Sequence, residues 1–220
     1  MYQSLANWQP CEEPGANVLE GQYCRLEPYR ESEHLTGLFA AICGSQNVSL
    51  WDYIPMGPFK DEIAFAEALA VTNAERGWRT MVICRGEDVL GMASFMRIRE
   101  VHGSAEVGCV VFSPKLQRTR EASEAIYLFG KHLFDDLGYR RFEWKCNNAN
   151  EASKRAAIRF GFQFEGVFRN DMVVKGVSRD TAWYAVTDAD WPNVSAAFSK
   201  WLNPANFDEK GQQIGPLKMA

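Results

Sequence analysis

The chain alternates between two hydrophobic periods, and the switches between them divide it into strands and helices. Residues 23–27 alternate in the two-residue period of a strand, and residues 31–41 then place Leu35, Leu38 and Phe39 at helical spacing. A second helix is predicted from about residue 61 to 75, with Ile63, Phe65, Ala66, Leu69 and Ala70 on its buried side. Residues 80–84 and 89–96 read as strands joined across the polar turn Arg85-Gly86-Glu87-Asp88. Residues 105–112 form another strand, after which Ala122, Ala125, Ile126, Phe129, Leu133 and Leu137 recur three or four apart on a helix that closes at Gly138. Residues 141–146 alternate again, with Phe142, Trp144 and Cys146 on one side. Asn150 supplies an N-cap, Ala156, Ala157 and Phe160 continue a helix, and Gly161 suits its C′ position. Residues 163–174 and 179–186 form a hairpin across Lys175-Gly176, and a last helix spans about 191–201.

Between the first two helices, two prolines and a glycine interrupt residues 51–59 and leave an aromatic loop. The element order predicts a mixed α/β domain with no G-x-G-x-x-G dinucleotide fingerprint and no internal repeat. Residues 1–20 and 203–220 carry no periodicity, so they read as an N-terminal loop and a C-terminal tail on a single domain at 21–202.

Composition narrows the function classes. A chain of 220 residues that is 46% hydrophobic and 13% aromatic buries one sizeable core. Twenty-four Lys and Arg against 28 Asp and Glu give a net charge of −4, so the balance points to no nucleic-acid partner. No apolar run reaches the roughly 18 residues that span a bilayer and the start has no secretion-signal order, so no membrane partner and a cytoplasmic location are expected. Six widely spaced cysteines without a C-x-x-C pair fit reduced thiols, and three histidines without ligand spacing suggest no metal site.

The candidate chemistry starts at residues 106–122, where an apolar strand ends in a short loop carrying two arginines at a helix N-terminus, a place that binds phosphates. The strand-loop-helix resembles the Gln/Arg-x-x-Gly-x-Gly/Ala motif of the GNAT superfamily of acyl-CoA-dependent N-acyltransferases, with Gln117, Arg120 and Ala122 at its marked positions. Arg120 departs from the family glycine, which lets the backbone approach the phosphates closely. Asn150-Glu151-Ala152-Ser153 with Gly161-Phe162 resembles the family's Asn-x-x-Ser/Ala helix, and Glu165-Gly166, Arg169, Gly176, Asp180 and Tyr184 resemble the spacing of its Rim-type branch.

The resemblance implies a central, mixed, mostly antiparallel twisted sheet, splayed at the cofactor site and flanked by helices, with acetyl-CoA as co-substrate and no metal. It places the backbone of Val110, Val111 and Phe112 along pantetheine, and Gln117, Arg118, Thr119, Arg120, Glu121 and Ala122 around the pyrophosphate, with Asn150 and Ser153 completing the cofactor contacts. It further implies an amine acceptor, either a protein N-terminus or a small molecule, and a homodimer at the level of the family.

Transfer to an amine needs a neutral nucleophile, because a lysine amine has a reference pKa near 10.4 and an α-amine near 8. Glu106 lies eleven positions before Gln117, where several GNAT enzymes carry a general-base glutamate; a solvated strand residue or an arginine partner is its other reading. The family's usual acid, a tyrosine, is replaced by Ala157, which leaves Ser153 as the candidate proton donor to the departing thiolate. Cys109 and Cys146 flank the same gap, but neither has a paired histidine, so direct transfer in a ternary complex is favoured over an acyl-cysteine.

For the acceptor, Trp51, Asp52, Tyr53 and Phe59 of the aromatic loop either line its cleft or cap the core. Asp171, Lys175 and Arg179, near the last hairpin, either line the cleft or are solvent-exposed, with exposure the favoured reading. The functional expectation is therefore an acetyl-CoA-dependent N-acyltransferase, with a silent acyl-CoA-binding module and an aromatic-loop interaction protein as alternatives.

Overall fold

A computed structural model describes residues 4–219. One eight-stranded sheet runs through the molecule. Its strands are β1 (Leu19–Glu20), β2 (Arg25–Pro28), β3 (Arg79–Arg85), β4 (Asp88–Arg99), β5 (Ser104–Phe112), β6 (Arg141–Asn147), β7 (Gln163–Val174) and β8 (Val177–Thr187). They lie in the order β1-β2-β3-β4-β5-β6-β8-β7, antiparallel except where β5 and β6 run parallel. The helices are α1 (Glu31–Ile42), α2 (Glu62–Glu75), α3 (Arg120–Lys131), α4 (Glu151–Arg159) and α5 (Trp191–Trp201).

Two cores follow from the alternation of each strand. Leu38, Ile42, Phe65 and Leu69 of α1 and α2 cover one face with Val82, Met92 and Val111. Ala125 and Phe129 of α3 and Phe198 of α5 cover the other with Phe95, Val107, Phe142 and Trp144. The apolar stripe read from residues 122–137 is continuous, but its last turn, His132–Asp136, widens into a π-turn before Gly138 ends it in the left-handed region.

Both termini correct the expectation of loose ends. Trp8 donates to Val101 O at 3.0 Å, Tyr139 donates to Glu12 O at 3.0 Å, and Glu13 pairs with Arg79. In the C-terminal segment Trp201 Nε1 donates to Gln213 Oε1 at 3.0 Å, Asn206 Nδ2 donates to Gly215 O, and Leu217 is buried. Periodicity could not reveal these segments because isolated side chains fill gaps there, without a regular face.

The separation of β5 from β6 governs the site. The two strands pair only from Ser104↔Arg141 to Val107↔Trp144. Beyond that, Ala93 of β4 faces two residues, Cys109 and Val110, and Cys109 has φ +47°. This bulge bends β5 towards β4 and away from β6, which ends the parallel ladder. Gly91 is what lets β4 follow: a Cβ there would stand 2.6 Å from Val111 O and 3.2 Å from Phe112 Cα. Backbone atoms cannot rotate out of the way, so Gly91→Ala is expected to destabilise the protein by about 1–3 kcal/mol or more. Urea denaturation reads this directly, and an unchanged midpoint would show that the strands relax freely.

Candidate functional site

The gap between the C-terminal halves of β5 and β6 brings together most of the residues singled out from sequence. From Gly108 onward β5 has no partner on β6, and from Lys145 onward β6 has none on β5, so Val110, Val111 and Phe112 form one wall of the gap. Unpaired strand edges offer an extended ligand the hydrogen bonds of a missing strand.

The loop at the end of β5 is built around local hydrogen bonds. Thr119 is the N-cap of α3: its Oγ1 accepts from Ala122 N at 3.2 Å and donates to Leu116 O at 2.6 Å. Arg118 adopts φ +63°, a left-handed conformation that turns the chain into the helix. Gln117 N donates to Ser113 O and Thr119 N to Leu116 O, while the amides of Arg118, Arg120 and Glu121 are among those left free in this loop and first helical turn. The Gln117 side chain turns back on the strand, with Nε2 donating to Phe112 O at 3.0 Å.

Arg120 does not cover these amides. Its guanidinium lies 4.1 Å from the centre of the Tyr23 ring and 5.4 Å from that of Phe207, a cation–π stack against the C-terminal segment. A side chain in place of the usual glycine is thus accommodated by redirection. The helix is held in position from behind: the buried Glu124 carboxylate accepts the amides of Gln22, Tyr23 and Cys24 at 2.7, 2.7 and 2.8 Å. That anchor was not singled out in the sequence, where Glu124 reads as an ordinary polar helix position.

Glu106 lies on the face covered by α1 and α2 and is only 5% exposed. Its Oε2 accepts from Lys145 Nζ at 2.8 Å, with Arg97 Nε at 3.8 Å. Lys145 also contacts Glu143 Oε2 at 2.7 Å and lies 4.0 Å from the centre of the Trp183 ring. Glu143 is further paired with Arg99 at 2.7 Å and Arg141 at 2.8 Å. Burial pushes the Glu106 carboxyl above the usual carboxylate range, against the pull of Lys145. Burial acts the same way on Glu143, but Lys145, Arg141 and Arg99 outweigh it and hold that group at about 2. Glu106 therefore pairs with a lysine and, among the described residues, is the carboxylate of this face whose pKa is raised.

The second oxygen of Glu106 stays free. Oε1 has no hydrogen-bond partner among the described residues and lies 3.1 Å from where a Cβ of Gly108 would stand. A side chain at position 108 would also collide with Met96 Sδ. Gly108 keeps open the space in front of Oε1, on the strand where pairing to β6 stops.

On the far side of the gap, Asn150 caps α4 through Oδ1, which accepts Ser153 N at 3.0 Å. Ser153 Oγ accepts from Trp144 Nε1 at 2.9 Å, and its hydroxyl lies against Cys146. Burial raises both thiols: Cys146 moves up and Cys109 reaches about 12. A thiol that holds its proton this tightly is a poor nucleophile.

The aromatic loop divides. Trp51 ends a short 3-10 segment, Ser45–Trp51, and is fully buried, with its ring centre 5.0 Å from that of Phe59 and 6.1 Å from that of Phe65, and its Nε1 donating to Ile42 O. This corrects its expected place at the acceptor: the indole belongs to the core, and Phe59 packs against the same core. Asp52 and Tyr53 are exposed, and the Tyr53 hydroxyl donates to Ala149 O at 3.4 Å, bridging the loop to the turn before α4. Arg179, expected at the surface, is instead 92% buried on β8. Lys175 reaches across to donate to Trp51 O at 2.8 Å.

Away from this gap, Glu27, Glu33 and His34 converge without any spacing signal in the sequence, but Arg25 and Arg30 already pair with the carboxylates. No helix of the described residues is long and apolar enough to cross a membrane.

Comparison with known proteins gives the geometry a context. The family described as an acetyltransferase (GNAT) domain matches residues 24–163. The chain is 40% identical to a GCN5-related N-acetyltransferase from Brucella melitensis, over 97% of each chain with a TM-score of 0.92. It is 28% identical over 151 residues to the uncharacterized N-acetyltransferase YoaA of Bacillus subtilis (strain 168), covering 68% of this chain and 85% of that protein. A third match, 29% over 112 residues, is to the ribosomal-protein-serine acetyltransferase of Escherichia coli (strain K12), covering 50% of this chain and 62% of that protein.

Proposed function

The chain belongs to the GNAT acetyltransferase family, Rim-like within it, and from that premise we propose that it transfers an acetyl group from acetyl-CoA to a primary amine by direct attack in a ternary complex. The observation that carries this reading is the gap itself: a length of β5 without a partner on its β6 side leads to a helix N-terminus with free amides, and a buried carboxylate with an open oxygen stands at the other end.

Acetyl-CoA supplies the reactive thioester. The free amides of Arg118, Arg120 and Glu121, aided by the α3 dipole, hold its phosphates. The edge of Val110–Phe112 aligns pantetheine, with Asn150 fixing the opposite wall through the first turn of α4. When the amine nitrogen attacks the thioester carbon, an N–C bond forms and the C–S bond breaks. The proton lost by the amine goes to Glu106 Oε1, directly or through one water, and the thiolate takes its proton from solvent or from the Ser153 hydroxyl. Proximity supplies much of the acceleration. Asp52 and Tyr53 stand at the entrance on the acceptor side.

Ligand binding tests the cofactor half without requiring an acceptor. Acetyl-CoA at about 100 times its Kd should add about 2.7 kcal/mol of stability, read as a rise in Tm. No rise at millimolar acetyl-CoA would remove the reading. Thiol release across a panel of amines and N-terminal peptides tests the transfer half.

A further inference from the structure

Arg179 is the one deeply buried arginine of the sheet that lacks a counter-charge among the described residues. It is 8% exposed; its Nε donates to Thr181 Oγ1 at 3.2 Å, and neither Nη nitrogen has a hydrogen bond or ion pair there. By contrast, Arg99 and Arg141 pair with Glu143, and Arg141 also with Glu165. A guanidinium stays charged throughout the accessible pH range, and burial without a counter-charge is costly, so such a group marks a place where an anion belongs.

Its position is defined by register. Thr181 pairs with Asn147, and Asn148 N donates to Asp180 O, so Arg179 lies just past the end of β6 beside the turn that carries Ala149. The α1–α2 connection is tied to that turn through Tyr53 to Ala149, and to the tip of the last hairpin through Trp51 O to Lys175. Strand alternation puts Arg179 on the same face as Trp183, whose register partner Lys145 holds Glu106. α3 packs on the opposite face, so the CoA phosphates are not the anion in question. The nearby Asp180 carboxylate is occupied with Asn170 N at 2.7 Å.

We propose that Arg179 anchors a carboxylate on the acceptor, and that the acceptor is the amino end of a peptide with an acidic side chain a few residues downstream. The proposal rests on the acetyltransferase reading with the reacting amine at Glu106. Trp183 and Arg179 are four residues apart on β8, about 13 Å at 3.3 Å per residue. An extended peptide covers that distance with about four residues, and the reach of the arginine side chain brackets the acid at about the third to fifth position. A carboxylate there takes two parallel N–H bonds from the free Nη groups.

The test uses the intact protein, acetyl-CoA and hexapeptides with a free N-terminal serine, in which glutamate or glutamine occupies the third, fourth or fifth position. The wild type should acetylate at least one glutamate peptide with a kcat/KM about 10- to 100-fold above its glutamine twin, mainly through KM, and Arg179→Gln should abolish that preference. Arg179→Lys should restore part of it. Equal wild-type rates on acidic and neutral peptides, or acetylation of small amines alone, would overturn the anchor while leaving the acetyltransferase reading intact. Absence of transfer to every amine would remove that reading and the anchor with it. The wild-type peptide pairs decide the matter even if Arg179→Gln fails to fold.

Discussion

Glu106→Gln should fold like the wild type and lose about 10²- to 10⁴-fold in kcat/KM, the range that general-base assistance supplies. The amide has the shape of the carboxylate and still accepts from Lys145, so the scaffold is preserved while the proton acceptor is lost. The pH profile separates this from a packing defect. Because burial raises the Glu106 pKa, the acid limb of wild-type activity should fall above the ordinary carboxylate range and vanish in the variant. The stability effect has the opposite sign. A carboxyl whose folded pKa is raised contributes stability below its unfolded pKa, and this is lost as pH rises through the folded one. Near neutral pH the variant should therefore be at least as stable as the wild type. An unchanged rate would remove Glu106 from the role of base.

The largest stability effect is expected at Lys145. Its Nζ is the shared counter-charge of Glu106 and Glu143, which face each other across adjacent strands, and its side chain is 6% exposed. Lys145→Met keeps the stem against Trp183 but leaves Glu106 buried with only the more distant Arg97, so a loss of about 3–5 kcal/mol is expected at pH 7. The loss should shrink as pH falls. In the wild type the Glu143 carboxyl, held at about 2 against a reference of 4.5, contributes about 3 kcal/mol above the reference pKa, which is lost as pH falls towards 2. Without Lys145 that contribution is smaller, and Glu106 takes up a proton at still higher pH. Urea melts at pH 7 and pH 4 measure the difference, and a penalty equal at both values would show that Lys145 acts through packing alone.

Sequence periodicity succeeds in this protein where a whole face is buried. The helix from residue 191 to 201 coincides with α5, and the hairpin across Lys175-Gly176 falls where both residues take positive φ. The stretch from Glu106 to Ala122 also carries its own chemistry, because an apolar strand, a polar loop and a capped helix are local patterns. Periodicity fails at β5. A strict two-residue alternation puts Val110 on the face of Glu106, but the Cys109 bulge shifts the phase and puts Val111 there. Nothing local announces a bulge at a cysteine; it is set by the register that β4 imposes through Gly91.

Exposure was the other blind spot. An aromatic in a proline-rich loop has the same sequence whether it faces a ligand or the core, and contacts with Phe59 and Phe65 decide that Trp51 faces inward. The same holds for charge. Arg120 and Arg179 look alike as basic residues near turns, yet one stacks on Tyr23 and Phe207 and the other lies buried on β8.

By itself, then, the amino-acid order determined the succession of strands and helices, the cap of α4, and the loop chemistry that suits a phosphate, since each depends on residues within a few positions of one another. The tertiary structure decided where β5 parts from β6, which carboxylate keeps a free oxygen, and which arginine lies buried without a counter-charge among the described residues. Those properties arise between strands far apart in the chain, where burial and the nearest opposite charge set both the geometry and the protonation of a group.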